Sequence, residues 1–332
     1  MWGHTWAVDL LRQHIAADRL RHAYLITGPT GVGRRTLARH LAQALNCTQP
    51  PAPGEFCGVC RACRGFANLA HPDLTVVQAE RVGGALKVDQ IRELTRSLAL
   101  SPYEANYRVA LLLRFEEAQA SAANALLKTL EEPPGRVILI LTAESAEALL
   151  PTITSRCETI RLRPLPLAEV QAKLEATGLA PERAALLAHL TGGRPGAALR
   201  LHADGDALEK RSQWLDDLTQ LLPAARVERF AYAETLTKER DREKSTLREQ
   251  CLVWLAYWRD VLLTAAGAAA AIGNLDRQAE IEALAAQVGV TGAQDALRAV
   301  EQTLLRLDRN ANARLAVEVL MLDLPRLSPT NF

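Results

Sequence analysis

Tyr24-Leu25-Ile26-Thr27-Gly28-Pro29-Thr30-Gly31-Val32-Gly33-Arg34-Arg35-Thr36 is a short apolar run that breaks into a glycine loop, and the residues after it, Leu37, Leu41 and Leu45, recur at helical spacing. A strand that feeds a glycine loop and then a helix is the context of a phosphate-binding loop. Glycines at 28, 31 and 33 let backbone N–H groups converge on phosphate oxygens, and the start of a helix adds partial positive charge.

The loop departs from a working ATPase at its end. Such a loop places Lys where Arg34 stands and Ser or Thr at Arg35, the hydroxyl serving to hold Mg²⁺. Arg34 keeps the charge in a planar, bulkier group. Arg35 cannot ligate a metal, and Thr36, one residue late, is rotated by about 100° on a helix. Gly28, Gly31, Gly33, Arg34 and Thr36 are the candidate nucleotide-binding set, in degenerate form. Two readings stay open: a tight strand-to-helix turn without nucleotide, and a loop that binds ATP or ADP passively.

Outward from the loop, further short apolar runs alternate with helical patterns: Leu74 to Val77, Arg108 to Leu113, Val137 to Thr142 and Thr159 to Leu162. Runs rich in Val, Leu and Ile suit strands covered on both faces, so the spacing predicts a doubly wound parallel α/β sheet. A helix is expected over Ala118 to Glu132, ended by Pro133-Pro134. The run Arg108 to Leu113 should end in an acidic pair for Mg²⁺, but Leu113-Arg114-Phe115 follows. Glu116 and Glu117 read as a solvated helix start.

After Arg163-Pro164-Leu165-Pro166 the strand signal stops. The organisation expected is an α/β domain over 1–165, a small helical unit over 166–207 with the turn Gly192-Gly193-Arg194-Pro195-Gly196, and an all-α domain over 208–332. The last of these carries a highly charged stretch at 238–249 and the helical series Cys251, Leu255, Trp258 and Leu262. Trp254 and Trp258 read as a packed face before they read as a base-stacking platform.

The chain has 332 residues, 48% apolar and 23% charged, with a formal net charge of +1. That is a globular composition, and it gives no blanket positive field for nucleic acid. Neither a signal-peptide pattern nor an apolar run near the eighteen or so residues of a membrane span is present, so a cytoplasmic protein is expected. Six cysteines are too few for a disulfide scaffold in a chain of this size. Cys47, Cys57, Cys60 and Cys63 form C-x₉-C-x₂-C-x₂-C, and four thiolates with no open position describe structural zinc. An iron–sulfur site commonly ends its run in Cys-Pro, whereas Arg64 follows Cys63.

The segment Ala122-Ala123-Asn124-Ala125-Leu126-Leu127-Lys128-Thr129-Leu130-Glu131-Glu132-Pro133-Pro134 closely resembles the signature of bacterial DNA polymerase III clamp-loader ATPases of the AAA+ class. Thr154-Ser155-Arg156-Cys157 does too. With His22-Ala23-Tyr24-Leu25, the glycine loop and the cysteine cluster, the resemblance covers about the first two hundred residues in order, and it is nearest the family's delta-prime branch. It implies an AAA+ domain with a zinc module inserted at about 47–63, a helical lid and a helical collar. Aligned on Asn124, Leu113 and Arg114 fall where the ATPase members carry their acidic pair, and Gly196 falls where they carry a sensor arginine.

The resemblance further implies that Arg156 is an arginine finger acting in trans, on ATP held by a neighbouring subunit. The implied partners are the gamma or tau ATPase, the delta subunit, the sliding clamp and primer-template DNA, in a hetero-oligomer with no membrane. A rival reading is an active gamma/tau-like ATPase that tolerates Arg34 and recruits Thr36 or Glu116 for magnesium. A third is a DNA-binding module built on the cysteine cluster.

Overall fold

A computed structural model describes residues 1–81, 83–237, 243–268 and 271–327. The start of the charged stretch, 238–242, and two residues of the alanine run that follows Ala265 lie outside them. The described chain separates into two compact units, one of Met1–Lys173 with Gly193–Ala197, the other of Leu174–Gly192 with Ala198–Phe332.

The first unit runs α1 (Thr5–Ala16), β1 (Ala23–Thr27), α2 (Arg34–Asn46), α3 (Arg61–Ala67), β2 (Leu74–Val77), α4 (Val88–Leu98), β3 (Arg108–Leu112), α5 (Ala120–Glu131), β4 (Val137–Ala143), α6 (Pro151–Thr154), β5 (Glu158–Arg161) and the start of α7 (Leu167–Glu175). The five strands form one sheet in the order β2-β3-β4-β1-β5. Every pairing is parallel; in register, Tyr24 lies between Ile140 and Glu158.

Period-two alternation divides the sheet's side chains between two cores. Ala23, Leu25, Ala110, Leu112, Leu139 and Leu141 pack with Ile91 and Leu94 of α4 and Leu126 and Leu130 of α5. Tyr24, Ile26, Val109, Leu111, Ile138 and Ile140 pack with Leu11 of α1 and Leu37, Leu41 and Leu45 of α2. A sheet apolar on both faces is what its strands' near-continuous Val, Leu and Ile content requires. The doubly wound α/β fold is therefore built by helices on both sides of β1, β3 and β4, whose C-terminal ends define one edge. In open parallel sheets, that edge is where ligands bind.

The second unit contains α8 (Pro181–Leu190), most of α9 (Pro195–Ala203), α10 (Ala207–Leu221), α11 (Arg226–Leu236), α12 (Glu243–Ala265), α13 (Gln278–Asp308) and α14 (Ala313–Asp323). Helix α13 is interrupted at Gly289, whose φ is 63°. The core of this unit gathers Leu215, Leu218, Trp254, Trp258, Ile281, Val300, Val317 and Leu320. Trp254 donates its indole N–H to the Trp214 carbonyl at 2.7 Å. Both tryptophans of the 254/258 pair are fully buried, so neither presents a face to a base. Among the described residues no helix is long and apolar enough to cross a membrane.

Candidate functional site

The glycine loop leaves β1 at the sheet's C-terminal edge and enters α2 through Gly33, which lies at φ 119° and caps the helix without a side chain. Gly28 N–H donates to the Ala143 and Glu144 carbonyls at the end of β4. The loop is thereby tied to the strand beside β1.

Arg34 does not extend into solvent. Its side chain is 8% exposed; Nη2 donates to the Thr30 hydroxyl oxygen at 3.2 Å, and Nη1 is ion-paired with Glu116 Oε1 at 3.8 Å. Thr30 passes the chain of contacts on by donating its hydroxyl proton to Glu144 Oε1 at 2.7 Å. At 3.8 Å the pair is too long for a hydrogen bond, and among the described residues Nη1 of Arg34 and Oε2 of Glu116 have no hydrogen-bond partner. Burial draws the Arg34 pKa down against the opposing pull of Glu116 and Glu144. Burial holds the Glu116 carboxyl above the usual carboxylate range despite Arg34.

Glu116 is thus no solvated helix start. Phe115–Glu117 is a single 3-10 turn preceded by Arg114 at φ 52°, and this turn swings Glu116 back toward the loop. Glu117 pairs with Arg114 at 3.0 Å and accepts from Gly83 N–H at 2.7 Å. Leu113 lies buried just past β3. No carboxylate therefore stands at 113 or 114, the end of the strand where a magnesium-positioning pair belongs. On α2, Arg35 is exposed and Thr36 half-buried.

Two other segments close on the loop. His4 Nε2 lies 3.2 Å from the Val32 carbonyl oxygen, and burial lowers the His4 pKa, favouring a neutral ring that donates from that nitrogen. Gly196 N–H donates to the Gly31 carbonyl at 2.8 Å, and Arg194 Nη1 to the Thr30 carbonyl at 3.3 Å. The turn is itself pinned by Gly193, at φ +74°, where a Cβ would stand 2.0 Å from the Leu165 carbonyl oxygen. Nothing in seven scattered histidines singled out His4. Glu144 carried a usable signal: it directly follows a strand at the sheet's C-terminal edge, where charged residues face bound ligands.

Arg156 follows α6 and sits 35% exposed. Its Nη1 donates to the Thr152 carbonyl at 2.9 Å and to the Ser155 hydroxyl at 3.4 Å, and its Nη2 to Glu131 Oε1 at 2.7 Å. Cys157 is half-buried, and burial pushes its thiol up to about 12, so it packs rather than reacts.

Cys47, at the end of α2, and Cys57, Cys60 and Cys63, around the start of α3, converge so that their sulfurs all lie within 4.8 Å of one another. Four sulfurs about 2.3 Å from a tetrahedral zinc stand roughly 3.8 Å apart, so the cluster fits such an ion with little adjustment. Backbone amides already point at the sulfurs: Cys57 N–H at Cys47 Sγ, Cys60 N–H at Cys57 Sγ and Cys63 N–H at Cys60 Sγ, each at 3.3 Å. The Cys60 amide, followed by that of Val59, holds the Cys57 thiol low. At Cys60 burial opposes ionisation, but the Cys63 amide and Thr48 outweigh it and bring the thiol to about 6. Burial pushes Cys63 up, and the Cys60 and Cys47 sulfurs add to that. Thiols that cannot all ionise by themselves are the donor set that a divalent cation completes. All six cysteines are free of disulfides.

Residues 3–166 match the family described as "DNA polymerase III, delta subunit", and residues 205–325 match "DNA polymerase III, delta subunit, C terminal". The chain is 41% identical to DNA polymerase III subunit delta' of Pseudomonas aeruginosa over 222 residues, 66% of this chain and 67% of that one. It is 30% identical to the Bacillus subtilis subunit of the same name over 315 residues, 95% of this chain and 94% of that one. Similarity to the gamma/tau subunit of Mycobacterium bovis, 39% identical, is confined to 48% of this chain and 27% of that longer one.

Proposed function

The chain belongs to the DNA polymerase III delta-prime family, and from that premise we propose that it completes a clamp-loader ring without hydrolysing ATP itself. In this reading it donates Arg156 to ATP bound by a neighbouring gamma or tau subunit. The complex, with the delta subunit, loads the sliding clamp on primer-template DNA in the cytoplasm.

The observation that carries the reading is the state of the phosphate loop. Arg34, where a loop lysine would reach phosphate, is buried, hydrogen-bonded to Thr30 and ion-paired at 3.8 Å with Glu116. The neighbouring strand end offers no acid at Leu113 or Arg114 for magnesium. Arg156, in contrast, has a side chain that is 35% exposed. A guanidinium brought to a developing phosphoryl charge is worth about 10³ to 10⁵ in rate. Zinc on Cys47, Cys57, Cys60 and Cys63 would fold an insertion that has little core of its own, with no open position for chemistry.

One observation favours the ATPase reading: Glu116 faces the loop. It does so paired to Arg34, however, and an ATPase would have to break that pair and ligate magnesium with the freed carboxylate. Turnover by the isolated chain separates the two readings. The expected outcome is none above background, with stimulation of ATP hydrolysis and clamp loading once gamma or tau and delta are added. Arg156→Ala should assemble normally and lower that stimulated turnover by at least tenfold. Unchanged turnover would refute the finger, and hydrolysis by the chain alone that is lost on substituting Gly33 would establish the rival.

A further inference from the structure

Arg156 has five N–H donors, and the structure shows where the directed ones go. Nη1 is used on α6's own turn, at the Thr152 carbonyl and the Ser155 hydroxyl, which bends the side chain back along its element. Nη2 makes the one hydrogen bond that, among the described residues, reaches outside that turn, to Glu131, 25 residues earlier at the last position of α5. The guanidinium is therefore folded onto its own subunit.

Glu131 is badly placed for the helix that carries it. A carboxylate at a helix C-terminus meets the negative end of the backbone dipole, and Glu132 adds a second negative charge there. Helix stability does not account for an acid at 131; the 2.7 Å pairing with Arg156 does. Arginine and carboxylate match through the same planar fork that arginine uses on phosphate, so the two acceptors compete for one edge of the guanidinium.

From this geometry we infer that Glu131 is a positioning residue that parks Arg156 in the unassembled subunit and yields it when phosphate is presented by a neighbour. The inference rests on the reading of Arg156 as a finger. Both partners are partly exposed, 35% for Arg156 and 51% for Glu131, which keeps the latch weak enough to exchange. A γ-phosphate with its higher charge displaces the carboxylate, whereas a neighbour holding only ADP presents nothing at that place.

The test uses the reconstituted complex, with this chain titrated into gamma or tau and delta, and ATP hydrolysis followed to saturation. Removing a pair of this exposure should lower the concentration of Glu131→Gln needed for half-maximal stimulation by about two- to fivefold. Turnover at saturation should match the parent, because the latch is open by then. Affinity for the ADP-loaded complex should not change, a dependence on nucleotide that a purely structural role for Glu131 would not produce. An unchanged half-saturation concentration, or a fall in saturating turnover, would overturn the latch. Arg156→Ala run in parallel keeps the two ideas apart. If that variant loses stimulation while Glu131→Gln tracks the parent, only the latch falls; if it stimulates normally, finger and latch fall together.

Discussion

Gly196 donates its N–H to the Gly31 carbonyl at 2.8 Å, and a Cβ built on Gly196 would stand 2.9 Å from that same oxygen. The turn from Gly193 to Gly196 thus lies with bare backbone against the glycine loop. A side chain at 196 has to push that backbone away, and overpacking of this kind costs about 1–3 kcal/mol. Gly196→Ala should lower the unfolding free energy by that amount in a denaturant titration. Gly196→Arg should not create ATP binding, measurable by calorimetry, because the loop must open before the arginine fits.

Arg34 and Glu116 give a pH-dependent prediction. Burial raises the folded-state pKa of Glu116 above its ordinary value of 4.5. A raised carboxyl contributes stability that is fully present below the ordinary value and is lost as pH rises through the folded value. Glu116→Gln removes that titration, while Arg34 stays protonated throughout. The Tm of Glu116→Gln relative to the parent should therefore climb as pH is taken from about 4 upward and then level off. Arg34→Met acts in the opposite sense. It leaves Glu116 facing Glu144 without a cation and should cost about 1–3 kcal/mol at neutral pH.

The sheet was legible because its strands are apolar on both faces, a pattern no surface helix shares. Ends moved by a residue where pairing decides them. Leu113 falls outside β3, since Leu112 is the last residue registered opposite Val77 and Leu141. Ala143 falls inside β4, because it lies opposite Thr27. The glycine loop and the cysteine cluster were readable for another reason: their members sit close in sequence, so spacing implies geometry. Arg34's partners were not readable. Thr30 and Glu144 are 114 residues apart, and Glu116 is aimed by a left-handed residue, Arg114, in a sequence that otherwise reads as the approach to a helix.

The cysteine cluster predicts metal content and local order together. The purified chain should carry about one equivalent of zinc by elemental analysis, and Cys63→Ser, which removes one of the two buried ligands, should carry well under half of that. Chelation should expose the segment from about Cys47 to Ala67 to protease, while the sheet, which has its own cores, stays resistant. Acidification should release zinc as the thiolates protonate. Full zinc retention by Cys63→Ser would remove that residue from the ligand set.

Arg229 predicts where the helical unit is most vulnerable. It is buried, and all five of its N–H donors are used: Nε on the Leu221 carbonyl, Nη2 on Leu222 and Pro325, and Nη1 on Met321 and Leu324, at 2.8 to 3.0 Å. These carbonyls lie at the C-terminal ends of α10 and α14, where the last turns of a helix leave acceptors without intrahelical partners. A cation there also meets the negative ends of two helix dipoles. Among the described residues, no carboxylate pairs with it. One side chain thus caps two helices 92 or more residues apart, and only a guanidinium has enough donors in one plane to do so. Arg229→Met strands several buried carbonyls, each costing about 1–3 kcal/mol, and should destabilise the unit by roughly 3 kcal/mol or more. Arg229→Lys keeps the charge but has three donors, and should fall between. Chemical denaturation of the three proteins checks the order, and a methionine variant as stable as the parent would remove Arg229 as the tie between α10 and α14.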